Sequence, residues 1–265
     1  MISQRCVVIT GAGSGIGEAC AEAFCAQGDH VVVTDIDPDK VSRVVERLRE
    51  TGTACGTVLD VSDAGQVERF FSDFADTHGR LDVLVNSAAS FLARGVEATP
   101  QEWDSILGVN VRGLAVMVQH AHPLLARTDG AAVVNMSSIS GHVAQAGRWT
   151  YNSTKGAILS LTRCMALDLA SDGIRVNSVS PGWIWTPAVA GAVDNDREGW
   201  EPTWGPYHML RRLGEASEVA SAVVFLASSG AGFITGTDLP VDGGYLAMGP
   251  EGLGPGDTSH VAGAK

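Results

Sequence analysis

Short apolar runs alternate along the chain with longer stretches in which apolar residues recur at helical spacing. Seven of these runs are rich in Val, Ile and Leu and have the length of strands: 7–10, 31–35, 56–60, 81–86, 131–137, 175–180 and 239–241. Helical stretches such as 18–27 and 149–170 lie between them. This alternation predicts an α/β fold with a doubly wound, mostly parallel seven-stranded sheet and helices on both faces.

The length of 265 residues suits a single domain with one core. We expect that domain to span residues 1–248. Residues 188–212 are rich in Gly, Pro, Asp and Trp and lack periodicity, so they are predicted to form an insert that closes over a substrate as a mobile lid. Residues 249–265 form a Gly- and Pro-rich tail in which no regular helix is expected.

Composition excludes several classes of partner. The net charge is -12 and no basic stripe is present, which argues against nucleic acid. No apolar stretch reaches the about 18 residues that a membrane helix needs, and no signal peptide is expected because Met1 leads almost directly into the first strand. The five cysteines show no CxxC spacing and suit a reducing cytoplasm. His120 and His122 point to different helix faces, so no metal site is predicted.

A glycine-rich loop follows the first predicted strand. Residues 11–17 are Gly-Ala-Gly-Ser-Gly-Ile-Gly, and a helical stretch begins at Glu18. Glycines permit a tight turn and let a pyrophosphate approach the backbone, while the helix N-terminus offers free N–H groups. In this strand–loop–helix context the motif predicts a dinucleotide site, with an ordinary glycine-rich turn as the alternative.

Asp35 ends the second predicted strand, near the offset of about 20 residues at which a ribose-binding carboxylate is expected. Its carboxylate can accept hydrogen bonds from both ribose hydroxyls of an adenosine and would repel a 2′-phosphate. No Lys or Arg lies in the glycine loop or directly after Asp35 to hold such a phosphate. We therefore predict NAD rather than NADP as the coenzyme. The alternative role for Asp35 is a helix or turn cap before Pro38.

Tyr151 and Lys155 are four residues apart in a predicted helix and therefore share one face. A phenol has a reference pKa of about 10, and a neighbouring ammonium is expected to lower that pKa. Ser138 ends the buried run that precedes this helix. A proton donor and acceptor near working pH is what ketone–alcohol chemistry requires. The spacing alone is common, and a surface tyrosine over a solvated lysine is the alternative.

Further motifs in matching order make the chain resemble the short-chain dehydrogenase/reductase family over about residues 5–245. Residues 10–17 match the family's TGxxxGxG loop. Residues 86–89 correspond to its NNAG segment, with serine and alanine in place of the second asparagine and the glycine. Residues 181–186 match the segment that meets the nicotinamide, and 234–244 match the closing strand. The resemblance implies a Rossmann-type fold and an oxidoreductase.

The resemblance also implies residue roles. Tyr151 would give or take the substrate's hydroxyl proton, Ser138 would hydrogen-bond the substrate oxygen, and Lys155 would bind the nicotinamide ribose. Asn110 would complete a proton relay through a water that reaches Lys155, and the segment ending at Thr186 would hold the carboxamide. The implied NAD-binding residues are Gly11, Ser14, Gly15, Ile16, Gly17, Asp35, Ile36, Asp60, Val61, Asn86, Ala88, Tyr151, Lys155, Pro181, Gly182, Ile184 and Thr186.

Family analogy places the substrate pocket after Ser138, after residues 181–182 and under the insert. Five of the six tryptophans fall within residues 149–204. Indoles supply rigid apolar walls with one hydrogen-bond donor each. The alternative is that they pack the insert onto the core or form a subunit contact. The candidate substrate residues are Ser138, His142, Gln145, Trp149, Tyr151 and Trp183.

These features predict an NAD-dependent oxidoreductase that interconverts a secondary alcohol and a ketone, with a small polyol, sugar or cyclic alcohol as the substrate. A reductase of 3-ketoacyl or other carbonyl compounds is the alternative, and a non-catalytic cofactor-binding scaffold is a third hypothesis. The complete set of Asn110, Ser138, Tyr151 and Lys155 argues against the scaffold. The resemblance further implies a homotetramer, for which Ala157, Leu161, Met165 and Leu169 would supply an apolar outer helix face.

Overall fold

The predicted alternation of strands and helices is present in the structure, a computed structural model that describes residues 4–253. The strands are β1 Cys6–Thr10, β2 His30–Asp35, β3 Thr53–Val58, β4 Val83–Asn86, β5 Ala132–Met136, β6 Arg175–Pro181, β7 Ile184–Trp185, β8 Gly214–Glu215 and β9 Asp238–Val241. The helices are α1 Gly15–Ala26, α2 Pro38–Arg49, α3 Ala64–His78, α4 Pro100–Leu107, α5 Leu114–Leu125, α6 Trp149–Leu169, α7 Pro187–Gly191, α8 Arg197–Trp204 and α9 Ala216–Leu226.

Seven of the strands form one parallel sheet in the order β3-β2-β1-β4-β5-β6-β9, which confirms the predicted fold class. In β1, Ile9 lies opposite Val33 of β2 on one side and Val85 of β4 on the other. The strand order reverses between β1 and β4. In doubly wound sheets, ligands bind outside the carboxyl ends of the strands at this reversal.

The core has one layer on each face of the sheet. Val7 and Ile9 of β1 belong to the layer that includes Phe24 of α1, whereas Cys6 and Val8 belong to the layer that includes Phe74 of α3. A strand covered on both faces needs an apolar side chain at every position, which explains why β1 is a continuous apolar run. Because these side chains hold β1 in place between the two core layers, the glycine loop that follows β1 begins at a fixed point, the carboxyl end of the strand.

Strand β3 differs from its prediction. The sequence places it at 56–60, but it spans Thr53–Val58. It is the edge of the sheet, and within it only Ala54 is buried, so hydrophobicity marks its position poorly. Asp60 therefore lies beyond the strand rather than at its end.

One turn of π-helix, Gly108–Gly113, joins α4 to α5. Helix α4 begins at a reciprocal cap, in which Thr99 Oγ1 accepts from the Glu102 N–H and the Glu102 carboxylate accepts from the Thr99 N–H. The π turn holds Asn110, which is buried. Such single turns inside helices often lie at functional sites.

The insert has regular structure, contrary to the lack of periodicity in its sequence. It contains α7 and α8, and Asp196 caps α8 by accepting from the Gly199 N–H. Arg197 pairs with Glu201 and with a glutamate of β8. Short helices held by caps and ion pairs give little hydrophobic period, so the sequence pattern misses them. Of the tail, Pro250–Leu253 form one 3-10 turn, and residues 254–265 lie outside the described part of the chain.

Part of the apolar face predicted on α6 points inward. Met165 is buried, and Leu161 and Leu169 pack against the core layer that contains Phe74, while Leu167 is 79% exposed. Met165 was therefore wrong as an outer-face residue, whereas Ala157, Leu161 and Leu169 are half-buried and their place in a subunit contact stays a prediction. Although α6 has 21 residues, none of the helices within residues 4–253 is both long and apolar enough to cross a membrane.

Candidate active site

A cavity of about 590 Å³ lies at the carboxyl ends of the central strands. One end, the glycine-loop end, is formed by residues 11–17 and Asp35, and the other, the tyrosine end, by Ser138, Tyr151 and the side chains around them. The sequence-predicted residues that line it are Gly11, Ser14, Gly15, Ile16, Gly17, Asp35, Ile36, Ser138, Gln145, Tyr151, Lys155, Pro181, Gly182, Trp183, Ile184 and Thr186. The fold therefore joins the two predicted motifs in one space.

Glycines bring α1 and β4 against the loop. Gly11 has a φ of +64°, and a Cβ there would lie 2.7 Å from Ala88 Cα, while a Cβ on Gly17 would collide with the Gly11 carbonyl oxygen. Ser14 is the N-cap of α1, but its hydroxyl makes no cap bond. The first-turn residues of α1 line the cavity without a side-chain cap, which fits a pyrophosphate at this helix N-terminus.

Asp35 lies at the same end, where Oδ2 accepts from the Gly13 N–H at 3.0 Å and Oδ1 accepts from the Asp37 N–H at 3.1 Å. These bonds hold its carboxylate over the loop. Lys40 also lines this end, and its Nζ is 3.4 Å from Asp37 Oδ2. Sequence reasoning did not include Lys40 because it lies five residues beyond Asp35, in the first turn of α2.

Four predicted coenzyme residues do not line the cavity. Asp60 Oδ1 accepts from both the N–H and the hydroxyl of Ser62, and Val61 is buried in the core. Asn86 donates to a buried asparagine of β5, and Ala88 packs beneath the glycine loop. Within the described chain these four residues lie outside the cavity lining and can only support it.

The tyrosine end is built where β5 meets α6. Lys155 Nζ donates to the Met136 carbonyl oxygen at 2.8 Å, and Ser137 Oγ donates to the Lys155 carbonyl oxygen at 2.9 Å. Lys155 Nζ lies 5.6 Å from the centre of the Tyr151 ring. Ser138 Oγ accepts from the Ser140 N–H at 3.1 Å, and the Ser138 hydroxyl is near enough to the Tyr151 phenol to act on its pKa. The predicted trio is therefore assembled, with its lysine tied to the end of a strand.

The electrostatics of this trio differ from the prediction. Burial raises the pKa of Tyr151 to about 12, against smaller lowering effects from the Ser138 hydrogen bond and the Arg148 charge. Burial also lowers the pKa of Lys155 to about 7. The expectation that Lys155 lowers the pKa of Tyr151 is therefore wrong for this structure, because Lys155 loses its charge well below the pH at which Tyr151 would ionise.

Asn110 lies behind the trio. Its Oδ1 accepts from the Ser90 N–H at 2.7 Å, and its Nδ2 donates to the Ser90 carbonyl and to Thr154 Oγ1, both at 3.0 Å. Its side chain makes no direct contact with Lys155 and does not line the cavity. Its amide holds the loop after β4 against α6, one residue before Lys155.

Aromatic rings form the walls of the tyrosine end. Trp183 is stacked on Trp204 with 4.6 Å between ring centres, and Trp200 packs on Trp204 at 4.8 Å. Phe91 is stacked on Tyr151 at 5.8 Å and is 65% exposed. Sequence reasoning missed Phe91, and its only signal was an aromatic residue two positions after the 86–89 motif.

His208 supports Trp183 from behind. Its Nε2 accepts from the Trp183 N–H at 3.2 Å, and its ring is buried. Burial lowers the pKa of His208, so the ring is neutral and its Nε2 stays an acceptor near neutral pH. The backbone of this wall therefore depends on a buried imidazole.

Two predicted substrate residues are not brought to the cavity. His142 Nε2 lies 3.0 Å from Asp238 Oδ2 and 3.2 Å from Ser180 Oγ, and Trp149 is 56% exposed. His142 follows the 3-10 turn Ile139–Gly141 and Trp149 is the first residue of α6, and the sequence does not set where either side chain points. Arg148, one of the polar residues that follow Ser138, does line the cavity, and the lining residues that sequence reasoning did not assign are Lys40, Ser87, Ala89, Phe91, Met136, Ser137, Ile139, Ser140, Pro187, Ala188 and Val189.

Three side chains that could bind a metal lie together elsewhere. Candidate ligand atoms of Cys6, His30 and His78 are within 4.8 Å of one another, at the amino ends of β1 and β2 and the end of α3. Burial raises the pKa of the Cys6 thiol to about 12, and metals bind the thiolate rather than the thiol. The absence of a metal site stays a prediction.

The chain matches the family model described as enoyl-(acyl carrier protein) reductase over residues 11–246. Over 245 residues it is 40% identical to the meso-2,3-butanediol dehydrogenase of Serratia marcescens, covering 92% of this chain and 95% of that protein. Over 249 residues it is 37% identical to the cis-4-hydroxycyclohexanecarboxylate dehydrogenase of Sinomonas cyclohexanicum, covering 93% and 98%.

A solved structure supports the same relationship. The ligand-free aldohexose dehydrogenase of Thermoplasma acidophilum superposes with a TM-score of 0.84 at 32% identity, covering 93% of this chain and 96% of that one. Sequence and fold therefore agree over nearly the whole described chain.

Proposed function

Because the chain belongs to the short-chain dehydrogenase/reductase family, we propose that it is an NAD-dependent enzyme that interconverts a secondary alcohol and a ketone. It is an oxidoreductase of the dehydrogenase/reductase kind, and proteins of this family use NAD or NADP. The observation that carries the proposal is the Ser138–Tyr151–Lys155 arrangement, which opens into the same cavity as the glycine loop.

The bound nicotinamide coenzyme supplies the acceptor or donor of a hydride. Tyr151 transfers the proton of the substrate hydroxyl, because its phenol lies at the tyrosine end beside the Ser138 hydroxyl. Ser138 can donate a second hydrogen bond to the substrate oxygen and fix its distance from Tyr151. At neutral pH the raised pKa of Tyr151 keeps its phenol protonated, the state that donates to a ketone.

Lys155 has two roles in this proposal. Its amine, held by the Met136 carbonyl, faces the cavity and can donate to a ribose hydroxyl of the coenzyme. Its pKa of about 7 lets Lys155 gain or lose a proton near neutral pH, so it can return a proton to Tyr151 after each turnover. Asn110 is a positioning residue, since its amide fixes the helix turn that carries Lys155.

The substrate class follows from the walls. Trp183 and Phe91 are apolar faces of the kind that suit a small carbocycle or a sugar ring. The names of three similar proteins refer to a butanediol, a hydroxycyclohexanecarboxylate and an aldohexose. These support a small polyol, sugar or cyclic alcohol.

The second candidate is a reductase of 3-ketoacyl or other carbonyl compounds, which the name of the matching family model favours. An acidic carrier protein would need exposed basic residues near the pocket. The nearest basic pair is internally bound: Arg211 donates to the Pro206 and Gly252 carbonyls, and Arg212 pairs with Glu218. A non-catalytic scaffold is the least favoured hypothesis, because it would not need the assembled trio.

The function is tested by NADH formation from NAD with purified protein across polyols, sugars, cyclic alcohols and 3-hydroxyacyl thioesters. We expect turnover of one alcohol class. Turnover of the thioesters alone would support the reductase alternative. Coenzyme binding without turnover of any of these compounds would favour the scaffold.

Coenzyme choice is predicted to depend on Asp35. Asp35→Asn keeps the size of the side chain but removes the charge that repels a 2′-phosphate, while Lys40 lines the same end and can pair with that phosphate. We expect the NADP-to-NAD ratio of kcat/KM to rise by about tenfold or more, the equivalent of about 1.4 kcal/mol. Adding Lys40→Met should cancel most of the gain. An unchanged ratio would remove Asp35 from this role.

We also propose a cytoplasmic homotetramer, as the family resemblance implies. Leu167 on α6 and Phe233 are two of the exposed apolar side chains that could serve such contacts. Light scattering of the purified protein tests this assembly.

A further inference from the structure

Arg148 places a guanidinium at the tyrosine end of the cavity. It lies at the N-cap of α6, is half-buried, and holds its guanidinium carbon 5.5 Å from the centre of a Trp183 ring. A guanidinium carbon within about 6 Å of a ring centre is in range of a cation–π contact, which leaves the arginine N–H groups free to donate to a polar group. Arg148 is therefore held beside Trp183 and still able to donate.

No counter-charge meets Arg148 in the part of the chain that the structure describes. Within residues 4–253 its side chain donates no hydrogen bond and has no carboxylate within 4.0 Å, although seven other arginines are paired in this way: Arg5, Arg43, Arg47, Arg80, Arg94, Arg197 and Arg212. The one acidic residue in the cavity lining is Asp35, at the glycine-loop end. In a chain of net charge -12, the tyrosine end is thus locally positive.

The support of Arg148 is rigid. Trp183 is stacked on Trp204, and its backbone N–H is held by the buried His208. Arg148 itself precedes a helix turn in which Thr150 Oγ1 donates to the Leu92 carbonyl at 2.6 Å. A guanidinium held between two anchored segments is suited to bind one group in one place rather than to move in solvent.

We propose that the substrate is a hydroxy acid, or the corresponding oxo acid, whose carboxylate is bound by Arg148 while its alcohol oxygen lies between Ser138 and Tyr151. The proposal rests on the alcohol–ketone function and narrows its substrate class. In reduction the hydride passes from NADH to the carbonyl carbon, the phenol proton of Tyr151 passes to the carbonyl oxygen, and the C=O bond becomes a C–O single bond. Oxidation is the reverse: the carbinol C–H bond breaks, its hydride passes to NAD, and the hydroxyl proton passes to the phenolate of Tyr151 as the C=O bond forms. The carboxylate keeps its charge and takes no electrons, so it acts only in recognition.

Arg148 could instead act on Tyr151 alone, because its charge is one of the effects that lower the pKa of that phenol. The two roles predict different effects of the substrate's charge on kcat/KM. An effect through Tyr151 is the same for charged and neutral substrates, whereas a carboxylate contact acts only on charged ones.

The test compares matched substrate pairs. We would measure kcat/KM for 4-hydroxycyclohexanecarboxylate and 3-hydroxybutyrate against their primary carboxamides, which have similar shape and no charge. For Arg148→Met we expect the carboxylate-to-carboxamide ratio to fall by about 10- to 100-fold, the loss of a charge-assisted hydrogen bond. Arg148→Lys should restore part of the ratio. Arg163→Met, which removes a positive charge from an exposed position of α6 outside the cavity lining, should leave the ratio unchanged.

An equal fall for the acid and the amide would overturn the proposal and assign Arg148 to Tyr151. A binding measurement separates this from failure of the alcohol–ketone function. Quenching of tryptophan fluorescence by cyclohexanecarboxylate and by cyclohexanecarboxamide reports occupancy beside Trp183 whether or not turnover occurs. If the protein bound cyclohexanecarboxylate in preference to the carboxamide, and lost this preference in Arg148→Met, but turned over no substrate, the anion site would be supported and the proposed reaction contradicted. Equal binding of both compounds would remove the anion site.

Discussion

Replacing Tyr151 with phenylalanine is expected to lower kcat by about 10²–10⁴-fold, the range that a positioned proton donor contributes. The phenol is the group of the tyrosine end placed to exchange a proton with the substrate oxygen, and Phe91 is stacked on its ring, so the ring itself should stay in place. Coenzyme binding should be unchanged, because the glycine loop and Asp35 lie at the opposite end of the cavity.

The comparison needs steady-state kinetics on the best alcohol and coenzyme titration by NADH fluorescence. Tyr207→Phe is the matched control, since Tyr207 is 38% exposed and does not line the cavity. It should leave kcat unchanged. If Tyr151→Phe kept a kcat close to that of wild type, proton transfer by Tyr151 would be excluded.

Replacing Lys155 with methionine is expected to abolish turnover and yet stabilise the protein near neutral pH. Burial lowers the pKa of Lys155 from 10.5 to about 7, so between these values the unfolded chain holds a proton that the folded chain does not. The free energy of unfolding of the wild type therefore rises with pH over this range. Burying an ion costs several kcal/mol, whereas the hydrogen bond lost to the Met136 carbonyl contributes about 1 kcal/mol.

The gain in the free energy of unfolding from Lys155→Met should be largest at and below about pH 7. It should shrink toward about pH 10, where Lys155 of the unfolded wild-type chain also loses its charge. Tyr151 acts in the opposite sense: its pKa is raised to about 12, so its contribution is lost only above about pH 10. Denaturant unfolding at about pH 7 and about pH 9.5 measures the difference. Lys40→Met, an exposed lysine paired with Asp37, should show no such pH-dependent gain. Lower stability of Lys155→Met at both pH values would contradict the burial argument.

Strands buried on both faces were predictable because most of their positions need an apolar side chain, as in β1 and β5. The edge strand β3 was shifted, since exposure removes that requirement from most of its positions. The helices of the insert were missed for a related reason: caps and ion pairs hold α8, whose residues Arg197–Trp204 include none that is buried. The hydrophobic pattern of a sequence indicates which elements are buried. It therefore fails to predict elements, such as β3 and α8, in which few residues are buried.

The trio of the site was predictable because its spacing is local: one helix turn sets Tyr151 and Lys155, and the end of β5 sets Ser138. Lys40 and Phe91 were not, because each reaches the cavity through packing between distant segments. Arg148 was one of several polar residues after Ser138, and its cation–π contact with Trp183 singles it out. Burial likewise reversed the expected pKa of Tyr151, since sequence shows a neighbouring charge but not its desolvation.

The contact between β5 and α6 has a consequence for how such an enzyme can change. Lys155 is tied to Met136 and Ser137, whereas the aromatic walls come from two other segments, represented by Phe91 and Trp183. Most of the substrate wall is therefore encoded on parts of the chain that do not carry the reacting groups, although Arg148 lies at the start of the same helix as Tyr151 and Lys155. A new substrate can be accepted when wall residues change while the reaction is conserved. Relatives that share the trio can therefore act on different substrates and still carry out the same reaction.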